Sequence, residues 1–541
     1  MKKFSLPKNF ATDLKAMYVC SFNDFSIGDL ARVKYNEFLP PQSKYAPIAF
    51  QGREFCATVA IGGRMPMKKL TVSAFSDLPV TVHPIEHVIF PEEASLIPDI
   101  IMPPGECNAG ANTRISFLLT ASIAQDTVPG KYRFTLVAKA ENYPDAELNF
   151  FIDVQPAAPA SKTEAKVIFW PHWETFCKHL KIELWSEEFW KTAEKYLSEL
   201  ADGGMTNVMV SVCHDPFRYP LPNGFHRYNH YPTMVKWIKS GENKWRFDYS
   251  ILDRYIDLNF KLGIDREIEC HSLLPCKIQD PVLGYYNERG DFFEEPTKYD
   301  APEYAAAWSA FLADFRKHAI QKGYVNKLTI CPYDEPLDPH RFNYVAKLAK
   351  KIFPELRITA AISADRALNV KKTIDIATLH SECGYSKNAV KTLRRNGIEL
   401  RWYNCCAPEW GNSLFVSTLF DAYRQSWITA ANDFTGFLRW SIFDWPDDLF
   451  KNPGFNWPTG DTYQVYPGVN GPLPSLRWVA WKQGMADLEL LQSKLNDPST
   501  PESKRKKLRN LLRKAGKLGF VDKDMTIALW RRKLYRLLCD E

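Results

Sequence analysis

From about Val33 to Val154, apolar and polar residues alternate in short runs broken by turn residues, the pattern of half-buried antiparallel strands. In KYRFTLVAKA, Tyr132, Phe134 and Leu136 share one face and Arg133 and Thr135 take the other, directly after the turn pair Pro129 and Gly130. LNFFIDV repeats the alternation. With no helical period between such runs, the expected N-terminal domain, residues 1–155, is a β-sandwich. The stretch QPAAPASKTEA, residues 155–165, has little to bury, so residues 156–165 read as a linker.

Beyond the linker the period changes, and apolar runs alternate with amphipathic helical segments, as in parallel βαβ units. Eight strands are expected: KVIFW (166–170), NVMVSVC (207–213), REIEC (266–270), KLTICPY (327–333), RITAAIS (357–363), IDIATLH (374–380), ELRWYN (399–404) and GFLRWSIF (436–443). Helical segments between them begin at Ser186, Asp248 and Glu303. Eight such units over residues 166–475 match the size of a (β/α)8 TIM-like barrel, and no Gly-rich phosphate loop supports an open doubly wound sheet instead. Residues 476–541 read as a helical extension. Its basic stretch from Lys504 carries Leu508, Leu511 and Leu512 at helical spacing, which is expected to pack on the barrel. The fold class is therefore multidomain: sandwich, barrel and helical tail.

A 541-residue chain exceeds the size at which one core keeps growing, in keeping with several domains. No uncharged apolar run of about 18 residues is present, so no membrane span is expected. The net charge of +6, from 69 basic and 63 acidic residues, is too slight for a phosphate-binding surface, which argues against nucleic acid. Aromatic residues make up 14%, with 16 Trp and 24 Tyr; flat rings stack on sugars, and they also fill large cores. The 12 cysteines contain no CxxC pair and read as mostly reduced, buried thiols. MKKFSLPKNFATDLK lacks the apolar run of a signal peptide, which places the chain as written in the cytoplasm, or outside it if a leader has been removed.

In a β/α barrel the active site forms where strands end at their C-terminal face. The fourth strand ends in Tyr333, Asp334, Glu335 and Pro336. Adjacent carboxylates there are costly to place without solvent or a function, and Pro336 stops the ladder so that both side chains can reach the mouth. Paired carboxylates suit glycoside hydrolysis, in which an acid protonates the leaving oxygen and an anion stabilises positive charge at the anomeric carbon. Other strand ends supply Trp170, His172, His214, His271, Glu382, Tyr403, Asn404, Trp440, Asp444 and Trp445. Of these, Trp170, His172, His214, His271, Tyr403, Trp440 and Asp444, with Tyr333, are the expected sugar contacts. The histidines lack HxH or HExxH spacing, so no metal is expected, and nothing calls for another cofactor. Cys405 and Cys406 have no assignable histidine partner and are not expected to act as nucleophiles.

The CPYDEP step, SIFDWPDD, and the segment GDTYQVYPG at Gly460–Gly468 resemble the β-N-acetylgalactosaminidases of glycoside hydrolase family 123, over about residues 33–495. The resemblance implies a retaining, exo-acting, substrate-assisted reaction on a glycan with a terminal N-acetylhexosamine. Glu335 is then the general acid and base, and Asp334 accepts the acetamido N–H and stabilises the oxazolinium intermediate. A two-carboxylate retaining glycosidase, with Glu335 as acid and Glu382 or Glu409 as nucleophile, is the chemical alternative; a catalytically silent carbohydrate-binding protein is the non-enzymatic one. The sequence leaves the exact sugar, the aglycone and the oligomeric state open.

Overall fold

The structure is a computed structural model that describes residues 18–22, 47–63, 65–111, 113–160, 164–217, 231–276, 280–381, 386–454, 457–520 and 525–539. The N-terminal strands are β1 (Tyr18–Phe22), β2 (Ile48–Phe50), β3 (Glu54–Gly63), β4 (Met67–Phe75), β5 (Val80–Phe90), β6 (Ser95–Ile101), β7 (Cys107–Ala109), β8 (Thr113–Ser122), β9 (Gly130–Glu141) and β10 (Ala146–Gln155). They form two five-stranded sheets, β1-β3-β8-β5-β6 and β2-β10-β9-β4-β7. In β9, Phe134, Leu136 and Ala138 are buried while Lys131, Arg133 and Lys139 are exposed, the period-2 alternation read from the sequence. Val59, Ile61, Phe117, Leu119, Phe134 and Ile152 share one core. On the other side of the first sheet, Ile85, Val88, Phe90, Ile97 and Leu118 join the core of the C-terminal region, so that sheet is covered on both faces.

The C-terminal region is a barrel-like sheet of eight parallel strands with helices around it. In chain order it runs β11 (Lys166–Phe169), α1 (Trp173–Leu180), α2 (Glu187–Asp202), β12 (Asn207–Ser211), β13 (Lys236–Gly241), β14 (Lys244–Asp248), α3 (Ser250–Lys261), β15 (Glu267–Leu274), β16 (Val282–Asn287), β17 (Phe292–Pro296) and α4 (Pro302–Lys322). It continues with β18 (Leu328–Tyr333), α5 (Pro339–Ile352), β19 (Arg357–Ile362), α6 (Ala364–Val370), β20 (Ile376–His380), α7 (Lys387–Arg395), β21 (Glu399–Asn404), α8 (Leu419–Tyr423), α9 (Gln425–Ala431) and β22 (Gly436–Arg439). The large sheet has the order β11-β22-β21-β20-β19-β18-β15-β12. Its two end strands approach each other where the Thr206 N–H donates to the Val167 carbonyl at 2.9 Å. β12 and β18 are buried along their whole length, which is why they read as continuous apolar runs.

At the N-terminal ends of these strands the interior is charged. Arg401 donates to both oxygens of Glu267 at 2.7 and 2.8 Å and to Glu399 at 2.9 Å, and Lys166 lies 3.2 Å from Glu267. Burial raises the Glu267 carboxyl, but Arg401 and Lys166 outweigh it and hold the group below its ordinary value.

Strands β13, β14, β16 and β17 form a separate four-stranded sheet, order β14-β13-β16-β17, that the sequence pattern did not anticipate. After the short pair β23 (Val465–Tyr466) and β24 (Leu473–Pro474), the chain ends in α10 (Leu476–Asn496), α11 (Glu502–Ala515) and α12 (Ile527–Leu538). Leu508 of the basic helix α11 is buried, while Leu511 and Leu512 are half-buried. Among the described residues, no helix is long and apolar enough to cross a membrane.

Candidate active site

Strand β18 delivers Asp334 and Glu335 at its C-terminal end, four residues before α5 begins behind its cap, Asp338. Asp334 is 7% exposed and Glu335 is half-buried. Glu335 has φ of 44°, the left-handed region, which costs about 1–2 kcal/mol in a residue other than glycine. That turn breaks the strand alternation, and Oε1 of Glu335 accepts a hydrogen bond from the Tyr403 hydroxyl at 2.8 Å. Tyr403 is the penultimate residue of β21 and is 4% exposed. Burial lifts its phenol well above the ordinary value, and the negative charges of Glu335 and Asp334 push it further the same way. Both carboxylates therefore act on one buried hydroxyl.

Tyr403 belongs to a smaller buried cluster that includes Trp170, just past β11, Met209 of β12, Ala361 of β19 and Leu438 of β22. Trp170 stacks on Phe217 at 5.2 Å and meets the edge of His271 at 4.7 Å. His271 is fully buried, with Nε2 3.0 Å from Glu269 Oε1. A second group lies at the ends of β11 and β22. There His172, 1% exposed, places Nε2 3.1 Å from the Trp440 carbonyl and Nδ1 3.9 Å from Asp444 Oδ2. Asp444 accepts from Thr175 Oγ1 at 2.7 Å.

His214 stands apart, 2.7 Å from Glu294 on β17. Tyr333 is fully buried and packs in the large core, not in the cluster of Trp170 and Tyr403. Trp445 is likewise buried, donating from Nε1 to the Val465 carbonyl at 2.8 Å. Glu409 is exposed on the loop after β21, and Glu382 lies outside the described residues. A pocket lined by His214, Asp215, Ser272, Pro281 and Gly284 among others adjoins β16, and the carboxylate pair is not part of its lining.

A family model, glycoside hydrolase 123 catalytic domain, matches residues 170–494, more than half of the chain. The chain belongs to glycoside hydrolase family 123. A family 123 glycoside hydrolase from Clostridium perfringens, solved for the details of glycolipid glycan hydrolysis, matches with a TM-score of 0.80 at 20% identity, covering 97% of this chain and 98% of that one. A Bacteroides ovatus GH5 xyloglucanase gives 0.32 at 9% identity over 82% of this chain and 99% of that one. A GH10 xylanase from termite gut gives 0.34 at 7% over 83% and 100%. No curated protein matches.

In this glycoside hydrolase, sequence reasoning passed over Arg439 and Asp461, which brace the expected strand-end residues Asn404 and Trp440. Asn404 accepts from Arg439 Nη1 at 2.8 Å, and Arg439 also donates to Asp461 Oδ1 at 3.0 Å. Trp440 donates to the same Asp461 oxygen at 3.4 Å. Asp461 is fully buried; burial raises its carboxyl from 3.8 to about 6 against the lowering effect of Arg439 and Trp440. An arginine inside the apolar run GFLRWSIF was the available signal, since a buried guanidinium requires a partner.

His380, the last residue of β20, sits 3.2 Å from Cys405 Sγ. The contact with Cys406 and burial raise the Cys405 thiol, the opposite of what a thiolate nucleophile needs. Among the described residues, no group of three His, Cys, Asp or Glu side chains is placed to hold a metal ion.

Proposed function

We propose that this glycoside hydrolase is an exo-acting β-N-acetylgalactosaminidase that retains configuration by substrate assistance. In this reading residues 166–475 close into a (β/α)8 barrel, the two N-terminal sheets form a sandwich, and the mouth of the barrel takes a terminal N-acetylhexosamine. Glu335 gives its proton to the glycosidic oxygen while the substrate's acetamido oxygen attacks the anomeric carbon, so the leaving group departs as an alcohol and an oxazolinium ring forms. Asp334 accepts the acetamido N–H and its charge offsets the positive charge that develops there. Glu335, now a carboxylate, takes a proton from water, which opens the ring at the anomeric carbon and restores the original configuration.

The observation that carries this reading is the pairing at the end of β18. One carboxylate is held by the Tyr403 hydroxyl and the next in sequence is close enough for its charge to act on the same phenol. The exposed position of Glu409 does not favour it as a covalent nucleophile. A panel of 4-nitrophenyl glycosides of N-acetylgalactosamine, N-acetylglucosamine and galactose tests the proposal. Hydrolysis of the first is expected, with Glu335→Gln slower by about 10²–10⁴. A thiazoline analogue of the intermediate is expected to inhibit; resistance to it in an active enzyme overturns substrate assistance, and release of galactose alone overturns the assigned sugar.

A further inference from the structure

The sheet β14-β13-β16-β17 is built from two hairpins that leave the C-terminal ends of β12 and β15, and β15 is the neighbour of the strand that carries Asp334 and Glu335. One face of this sheet is anchored to the barrel helix α4. Trp237 stacks on Phe311 at 4.8 Å and meets Trp308 at 5.1 Å, and Phe247 lies 5.3 Å from Phe311.

The opposite face is not built like a water-facing sheet, which ordinarily reads polar. Tyr286 and Phe292 are directly paired across β16 and β17, with ring centroids 5.1 Å apart, and Gly284 and Glu294 are the next pair on the same face. Phe292 is 42% exposed. Lys236 places its ammonium 4.6 Å from the Tyr286 ring centre. His214, three residues beyond β12, stands on this face with its ring 4.9 Å from Phe292 and Nε2 2.7 Å from Glu294 Oε1. The sheet makes room for it at Gly284, where a Cβ would lie 2.4 Å from the His214 Cβ. Two aromatic rings are thus rimmed by a carboxylate, an imidazole and an ammonium. A pyranose asks for that combination, since its C–H face stacks on rings while its equatorial hydroxyls take donors and acceptors at the edge.

We propose that this face, centred on Tyr286 and Phe292 with His214, Glu294 and Lys236 at its rim, is a second saccharide subsite, which takes the sugar beyond the one released at Glu335. The inference rests on the glycosidase reading above and assigns the recognition of the rest of the glycan to the sheet inserted after β12 and β15. His214 provides the continuity, because its segment runs on from β12, whose Met209 shares a cluster with Tyr403, the partner of Glu335.

Phe293 supplies an internal control. It is 44% exposed on the same strand but on the other face, with its ring 5.7 Å from Tyr285. Wild type, Phe292→Ala and Phe293→Ala are compared on 4-nitrophenyl N-acetyl-β-galactosaminide and on a trisaccharide ending in β-N-acetylgalactosamine. Phe292→Ala is expected to lower kcat/KM for the trisaccharide about tenfold and to leave the nitrophenyl glycoside within about twofold, while Phe293→Ala changes neither. An unchanged ratio between the two substrates in Phe292→Ala, or an equal change in Phe293→Ala, overturns the subsite while leaving the function standing. A wild type inert on both substrates overturns the function itself, and the subsite with it.

Discussion

Replacing Tyr403 by Phe removes one oxygen and keeps the ring, so it isolates the hydroxyl that donates to Glu335 at 2.8 Å. The packing of Tyr403 in its buried cluster is preserved, including its ring contact with His380 at 4.7 Å. A hydrogen bond to a charged group is worth about 1.5–3 kcal/mol. Taking the low end because Glu335 is only half-buried, about 1.4 kcal/mol corresponds to a factor of about ten in rate. Without the hydroxyl the Glu335 side chain loses its fixed orientation, and kcat/KM is expected to fall about tenfold. The assay is kcat/KM on a 4-nitrophenyl glycoside for wild type and variant, with the urea denaturation midpoint of each measured alongside. An unchanged kcat/KM, or a fall matched by a loss of folded protein, refutes the reasoning, because the hydroxyl then does not hold the carboxyl in place for the reaction.

Three other outcomes follow from buried charges. Arg401→Met strips Glu267, 3% exposed, of its bidentate partner and is expected to destabilise the protein by about 3–5 kcal/mol, read as a lower denaturation midpoint. Asp99→Asn leaves Arg477, 1% exposed, without the carboxylate at 2.9 Å; a similar loss is expected, with limited proteolysis releasing the N-terminal sheets first. For Asp461, with its carboxyl at about 6 in the fold against 3.8 ordinarily, the folded protein holds a proton between about pH 4 and 6 that the unfolded chain has lost. Its contribution is full below pH 3.8 and disappears as pH rises through about 6, a change of about 3 kcal/mol. The stability of wild type relative to Asp461→Asn is expected to fall by that amount from pH 3.5 to 7.5 in urea melts; a pH-independent difference refutes it.

All eight strands of the barrel-like sheet were legible because burial on both faces makes most of each strand apolar, although β15 and β21 also carry the charged residues Glu267, Glu269, Glu399 and Arg401. Their ends were less so. GFLRWSIF was read to Phe443, but β22 stops at Arg439, where the guanidinium turns to Asn404 and Asp461. REIEC stops short of a strand that continues to Leu274, because His271 was read as lying beyond the strand's end. The inserted sheet went unread although KWIKSGENKWRFD alternates aromatic and charged residues about the turn at Asn243, whose φ is 54°. Helices were expected between barrel strands, and that expectation displaced the period-2 signal. At the site, position along a strand was enough to single out Asp334 and Glu335. Partnership was not, since Tyr403 is 68 residues from Glu335 and nothing local records which hydroxyl closes on which carboxylate.

The GDTYQVYPG segment shows why a motif can be conspicuous in sequence before its role is visible. Residues 462–464 run antiparallel to residues 442–444, just beyond β22, with the Asp444 N–H donating to the Thr462 carbonyl and the Gln464 N–H to that of Ile442, each at 2.9 Å. One end faces the N-terminal sheets, where Thr459 donates to Glu92 through its N–H at 2.9 Å and its hydroxyl at 2.8 Å. Gly460 adopts φ of 85° and a Cβ there would lie 2.7 Å from Phe415, so only glycine turns the chain at that point. The other end returns to the same sheets through the Tyr466 hydroxyl, 2.6 Å from Asp99, which also pairs with Arg477 of α10. Between these anchors, Asp461 holds Arg439, the last residue of β22, and Trp440 beside it. A single segment thus ties the strand ends near the carboxylates to the N-terminal region. A buried polar group left without its partner is costly, so these bonds couple the two regions.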